Sequence, residues 1–122
     1  MAKSMHLVRR AAFCLAAFWL GVSCVWAHAV LKRAVPDAGS IIAGPAITFL
    51  LQFNTRVDSK RSRLSLVTPD GKTMSLDIGP QPTPDALVAP AKGLLTGEYK
   101  LRWQVLASDG HITRGQYSFR VR

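Results

Sequence analysis

The 122-residue sequence predicts an all-β fold, a Greek-key sandwich or barrel of about seven strands, preceded by a cleavable signal peptide. Three observations carry that reading. Apolar residues in the body of the chain recur with a period of two rather than 3.6, turn-forming residues interrupt them every ~8 to 12 positions, and the first 27 positions are unlike the rest.

Positions 1–27 come first. Lys3, Arg9 and Arg10 stand without an acid, Ala11 to Leu20 is an unbroken apolar run, and Val25-Trp26-Ala27 supplies small or β-branched residues before a cut. These are the charged, apolar and cleavage regions of a secretory signal. A membrane anchor needs ~20 apolar residues, and this run reaches that only by counting Gly21, Ser23 and Cys24. Arg9-Arg10 before Phe13 loosely matches a twin-arginine signal but is also ordinary in a general export signal. Cys24 as a lipoprotein cysteine is disfavoured by Gly21, three residues earlier.

Cleavage after Ala27 leaves a domain of residues 28–122 with net charge +6, one Met, one Trp, two His and no Cys. About 95 residues can bury a core without disulfides. Disulfide scaffolds, thiolate metal sites and thiol catalysis are thereby excluded.

Within that domain, Ile47, Phe49, Leu51 and Phe53 alternate with polar or outward positions, as do Leu64 and Leu66, and then Met74, Leu76 and Ile78. Each run reads as a half-buried strand. The clearest pair is Tyr99, Leu101, Trp103 and Val105, followed by Tyr117, Phe119 and Val121. Pro36-Asp37-Ala38-Gly39, Gly44-Pro45, Pro69-Asp70-Gly71, Gly97 and Asp109-Gly110 supply turns, and Gly79 to Pro84, with three prolines, reads as a stiff surface loop. Asp58, Asp70, Asp77 and Asp85 read as caps or solvated charges in turns.

Both histidines of the domain have unusual addresses. His28 would be its first residue, and His111 follows Asp109-Gly110 between the two best strands. A lone loop histidine is usually solvated, and Asp-Gly is by itself a hairpin signal. A terminal histidine, however, offers its α-amine and its imidazole to one ion. With His111 and Asp109 the donors become three nitrogens and an oxygen, a set that suits tetragonal Cu(II), whereas Cu(I) prefers thiolates and thioethers. Zn(II) could use the same donors.

At these residues the sequence resembles the CopC family of bacterial periplasmic copper-resistance proteins. The likeness runs from His28 to Val121. It rests on His28-Ala29-Val30-Leu31, Pro36, Phe49 to Phe53, Asp70-Gly71-Lys72 and above all Gly97-Glu98-Tyr99 through Trp103 to Ser108-Asp109-Gly110-His111, then Gly115 and Tyr117-Ser118-Phe119. The resemblance implies an Ig-like or cupredoxin-like β-barrel that binds one Cu(II) per chain through the amine and imidazole of His28, the imidazole of His111, and Asp109 as ligand or as orienter of an imidazole. It also implies copper resistance or homeostasis in the periplasm, by sequestration or by transfer to a CopD-type inner-membrane protein. The lack of a Met-rich segment is similar to members that keep only the Cu(II) site. Two positions depart from the pattern. Where the family often has Phe-Ser-Glu-Pro-Val, this chain has Phe53-Asn54-Thr55-Arg56-Val57, and Ala34 stands where many members have Ser. An acid near the metal is thus absent, and Arg56 weakens binding only if it approaches the site. Because the donors must be deprotonated, copper binding should weaken as pH falls.

Other classes fare worse. Lytic polysaccharide monooxygenases also use a terminal histidine, but they look larger, with a flat aromatic face, whereas Trp103, Tyr99, Tyr117 and Phe119 here fall on apolar strand faces. Arg56, Lys60, Arg61 and Arg63 form a basic cluster that suits an anionic partner, although positive charges also protect a loop or strand edge from pairing. Export argues against a nucleic acid. With no Cys, no Gly-rich phosphate loop and a single Glu, Glu98, in residues 28–122, the sequence reads as a copper-binding protein and not an enzyme.

Overall fold

The computed structural model describes residues 28–122; the signal-peptide reading of positions 1–27 falls outside the described residues. The strands are β1 (Leu31–Val35), β2 (Ile41–Ile42), β3 (Ile47–Phe53), β4 (Val57–Val67), β5 (Thr73–Leu76), β6 (Ala86–Ala91), β7 (Gly97–Ala107) and β8 (Ile112–Val121). They form two sheets, ordered β1-β3-β6 and β2-β8-β7-β4-β5. The all-β reading holds, as a sandwich of two open sheets. β3 leads into β4 in the facing sheet and β5 leads back to β6, the crossing connections of a Greek key. Among the described residues no helix is long and apolar enough to cross a membrane.

Side chains alternate across each strand, so one row of every sheet faces the other sheet. Phe49, Leu51 and Phe53 of β3, Leu64 and Leu66 of β4, Leu101 and Val105 of β7, and Phe119 and Val121 of β8 are all buried in one core. The aromatic residues read as strand-face residues lie in or against this core. Phe119 meets Phe49 edge-on and Tyr99 in a stack, each with ring centroids 5.5 Å apart. Trp103 stands between Phe53 and Tyr117, and its indole lies over Gly115, where any Cβ would fall inside the ring. That overlap is why a side chain is missing from the middle of β8.

β7 and β8 pair continuously from Gly97↔Val121 to Leu106↔Ile112, as the two clearest sequence patterns require. β4 is longer than its apolar pattern: only Leu64 and Leu66 signal it, yet it begins at Val57. Its pairing with β7 is irregular between Asp58 and Arg63, where the Asp58 carboxylate accepts hydrogen bonds from the N–H groups of Lys60 (2.9 Å) and Arg61 (3.1 Å). β5 reaches only Leu64–Val67, so the charged half of β4 runs as a sheet edge, the placement that charge protects. Asp70 and Asp85 likewise cap turns, accepting from Thr68 and Thr83. Gly79 to Pro84 contains no strand, as its prolines predict.

Candidate metal centre

Three chain segments meet at one end of the sandwich. They are the approach to β1, the β3–β4 connection and the β7–β8 loop. Ala29 is buried in the core, which fixes the chain one residue after His28. Val30 is then clamped to Asn54: its N–H donates to the Asn54 side-chain oxygen (2.8 Å), and the Asn54 N–H donates to the Val30 carbonyl (2.9 Å). These bonds extend the β1–β3 pairing past its last strand residue and hold His28 over the end of the sheet.

On the facing sheet the β7–β8 loop folds on itself. The Gly110 N–H donates to the Ala107 carbonyl (3.0 Å) and the Ala107 N–H to the His111 carbonyl (2.9 Å), with Gly110 at φ +86°, a left-handed conformation that glycine adopts without steric cost. The loop is tied to the β3–β4 connection by the Ser108 N–H donating to the Arg56 carbonyl (3.0 Å) and by the Thr55 and Ser108 hydroxyls at 3.3 Å.

The outcome is that His28 and His111, 83 positions apart in sequence, face each other with ring centroids 5.9 Å apart and planes inclined at 49°. An ion held about 2.0–2.1 Å from one nitrogen of each ring allows centroids up to about 6.4 Å apart, and the separation of 5.9 Å falls within that limit. Asp109 lies behind His111. Its carboxylate takes the His111 N–H on one oxygen (3.0 Å) and sits 2.9 Å from Nδ1 of the His111 ring on the other. The bond from the His111 ring, and then that from the His111 N–H, hold the Asp109 carboxyl below the usual carboxylate range. A carboxylate on Nδ1 stabilises the tautomer that carries the proton there and turns Nε2 outward as the donor atom. Side-chain exposures of 46% for His111 and 27% for Asp109 leave the pair open to an incoming ion.

All three sequence-predicted site residues therefore come together, with Asp109 engaged to His111 rather than aimed between the rings. Among the described residues no set of three or more His, Cys, Asp or Glu side chains forms a ready metal cage; an ion between the two rings would need a further donor, such as the α-amine that cleavage after Ala27 would create at His28. Arg56 approaches the loop through its carbonyl, while its exposed side chain lines a groove with Lys60, Arg61 and Ser108. Sequence reasoning missed Asn54 and Ser108. Asn54 carried a signal, a turn-forming residue at the end of an alternating strand, but its partner Val30 is 24 positions away.

The family model for the CopC domain matches residues 31–122. Copper resistance protein C of Escherichia coli is 31% identical over 105 residues, covering 79% of this chain and 82% of that protein. The crystal structure of CopC from Methylosinus trichosporium OB3b superposes with a TM-score of 0.72 at 33% identity, over 77% of this chain and 93% of that one. PcoC of Escherichia coli, a methionine-rich copper resistance protein, superposes with a TM-score of 0.66 at 29% identity, over 79% of this chain and all of that one. Fold, sequence and matched span agree: the chain belongs to the CopC family, and its relatives include proteins named copper resistance protein C.

Proposed function

We propose that the protein is exported to the periplasm, cut after Ala27, and binds one Cu(II) ion through the amine and imidazole of His28 and the imidazole of His111. Asp109 orients the His111 ring. The observation that carries the reading is the facing pair of rings at 5.9 Å with a carboxylate on Nδ1 of one of them. Two nitrogens from His28 close a chelate ring, and His111 supplies a third, an arrangement that matches the tetragonal preference of Cu(II). Copper is cargo here: the site is open to solvent, and release to a CopD-type inner-membrane protein or retention would use the same donors.

Cu(I) is poorly served. PcoC is methionine-rich, whereas the single methionine of residues 28–122, Met74, packs against the core from β5, away from the metal end. Thioether donors, which favour Cu(I), are missing where they would be needed.

Mass determination of the exported protein and electron paramagnetic resonance of its copper-loaded form test the proposal together. The expected mass begins at His28, and the expected spectrum is tetragonal with nitrogen couplings that change in His111→Ala and when one residue is added before His28. A start at another position, or a spectrum indifferent to both changes, overturns the proposal.

A further inference from the structure

We infer that the outer face of the β2-β8-β7-β4-β5 sheet is a docking surface for anionic lipid headgroups. The outward rows of β4, β7 and β8 bring Arg63, Arg102 and Arg114 together around a shallow groove, with Lys100 one pair further along β7. The register places Arg63 opposite Gln104 and Gln104 opposite Arg114, while Arg102 lies opposite Gln116 in the adjacent row. With strands about 4.8 Å apart, the two arginines that flank Gln104 stand about 10 Å from one another.

Two of these side chains are held in place. Nε of Arg102 donates to the Gln116 side-chain oxygen (3.0 Å), and Nε of Arg114 donates to that of Gln104 (3.1 Å). A neutral partner on Nε leaves the charge uncompensated and the terminal nitrogens available as a fork, the geometry that takes phosphate oxygens in pairs. Ion pairs among the described residues involve Asp58 with Arg61, Asp70 with Lys72, Asp109 with His111 and Glu98 with Arg120, and none of them includes Arg63, Lys100, Arg102 or Arg114. By contrast the groove beside Arg56, Lys60 and Arg61 has Asp58 on its wall, whereas Glu98, on the outward row of β7 beyond Lys100, is paired with Arg120 (3.9 Å), so the groove among the three arginines is the stronger positive surface of the two.

The chemistry of the face favours a membrane over a folded partner. Protein interfaces are centred on aromatic and apolar anchors in fitted pockets; here Trp103 lies on the groove floor, already packed on Phe53, Tyr117 and Gly115, and the exposed side chains around the arginines are Arg, Lys, Gln, Ser and Thr. A sheet face of fixed cations matches a plane of phosphates without needing shape complementarity. At the rim, Ile112 is 52% exposed directly after His111, so docking would bring the histidine pair to headgroup level with an apolar residue facing the bilayer. The inference does not require copper to be bound.

The test is co-sedimentation of the metal-free protein, carrying the N-terminus its cell leaves on it, with phosphatidylglycerol/phosphatidylcholine vesicles, with phosphatidylcholine vesicles, and its retention on poly-L-glutamate. Each cation at an anionic surface contributes about five-fold, so the triple variant Arg63→Gln, Arg102→Gln, Arg114→Gln should lose about 100-fold in partition onto the anionic vesicles. The triple Arg→Lys variant should retain most of it and thereby exclude a merely structural effect. Removing the same charge with Arg56→Gln, Lys60→Gln and Arg61→Gln should cost only a few-fold through net charge. Equal losses in the two Gln variants, binding to poly-L-glutamate in place of vesicles, or displacement from vesicles by inorganic phosphate at constant ionic strength would each overturn the assignment.

Discussion

The two ends of the sandwich are built on opposite principles. At the end away from the histidines, Phe119 lies between Phe49 and Tyr99, Leu94 and Val121 are buried, and the Tyr99 hydroxyl donates to the Leu95 carbonyl (2.9 Å). At the histidine end Ala29, Val57 and Ala107 close the core, and beyond them position is set by directed polar bonds, Val30 to Asn54, Ser108 to Arg56 and His111 to Asp109, among side chains that stay exposed. Apolar burial scales with area and excludes water, so it stabilises without leaving a usable surface. Hydrogen bonds add less per group, but they orient, and they leave metal donors accessible. If the histidine end is the metal site proposed above, stability and metal binding are housed at separate ends, and substitutions should separate them.

The largest effect belongs to the closed end. Phe119→Ala empties the centre of the aromatic cluster and should cost about 3–5 kcal/mol in urea unfolding, a large share of the stability of a small domain. Copper affinity of the protein that remains folded should change less than ten-fold by calorimetric titration. A larger fall would mean that the metal end leans on the distant core and that the separation is not real.

His111→Ala should do the reverse. Losing a partner that merely orients a ligand typically costs 10–100-fold in metal affinity, so losing the imidazole itself should cost at least about 100-fold. Stability should stay within about 0.5 kcal/mol, because the ring is exposed. If unfolding shifted as much as binding, the His111 ring would be part of the structural frame.

Asn54→Ala falls between the two. The Val30 N–H loses its acceptor, which should reduce stability by about 1 kcal/mol. The clamp next to His28 is halved, with only the Asn54 N–H bond to the Val30 carbonyl left, and copper affinity should fall by up to about ten-fold, comparable with the loss of an orienting partner. Stability lost without affinity would show that Ala29 alone positions His28.

What the sequence reveals follows the same division. β3, β7 and β8 are legible because period-two alternation is a local consequence of facing a core, and the β7–β8 loop is legible because Asp109-Gly110 is local turn chemistry. β6 is not: Ala86–Ala91 reads ALVAPA, with no polar alternation and with Pro90 inside it, and its role as an edge strand comes from pairing with β3, 34 to 44 positions earlier in sequence. β1 and the two-residue β2 are hidden for the same reason, as is the first half of β4, whose charges mark a sheet edge only once β5 is seen to stop short. At the site, His28, Asp109 and His111 could be named from chemistry and resemblance. The engagement of Asp109 with Nδ1 of His111, the clamp from Asn54 and the approach of Arg56 through its carbonyl are products of how the loops close.

The smallest effect sharpens the account of the link between the sheets. The Tyr117 hydroxyl on β8 donates to the Pro36 carbonyl after β1 (2.7 Å), and burial, with the Asp37 carboxylate second, pushes its pKa up to about 12. A folded-state value above the ordinary one near 10 means that the protonated tyrosine is favoured by folding. Its contribution is therefore complete below about pH 10, where both states hold the proton, and is lost as pH rises toward about 12, because the unfolded chain ionises first. The hydroxyl is only half-buried, so solvent screening should keep the loss to about 1 kcal/mol or less. Unfolding free energy measured from about pH 9 to about pH 11.5 should fall more steeply in the wild type than in Tyr117→Phe, which begins about 1 kcal/mol lower for want of the hydrogen bond. Parallel slopes would mean that Tyr117 ionises without disturbing the sheet contact, and that β1 and β8 are held together by the apolar core and not by this bond.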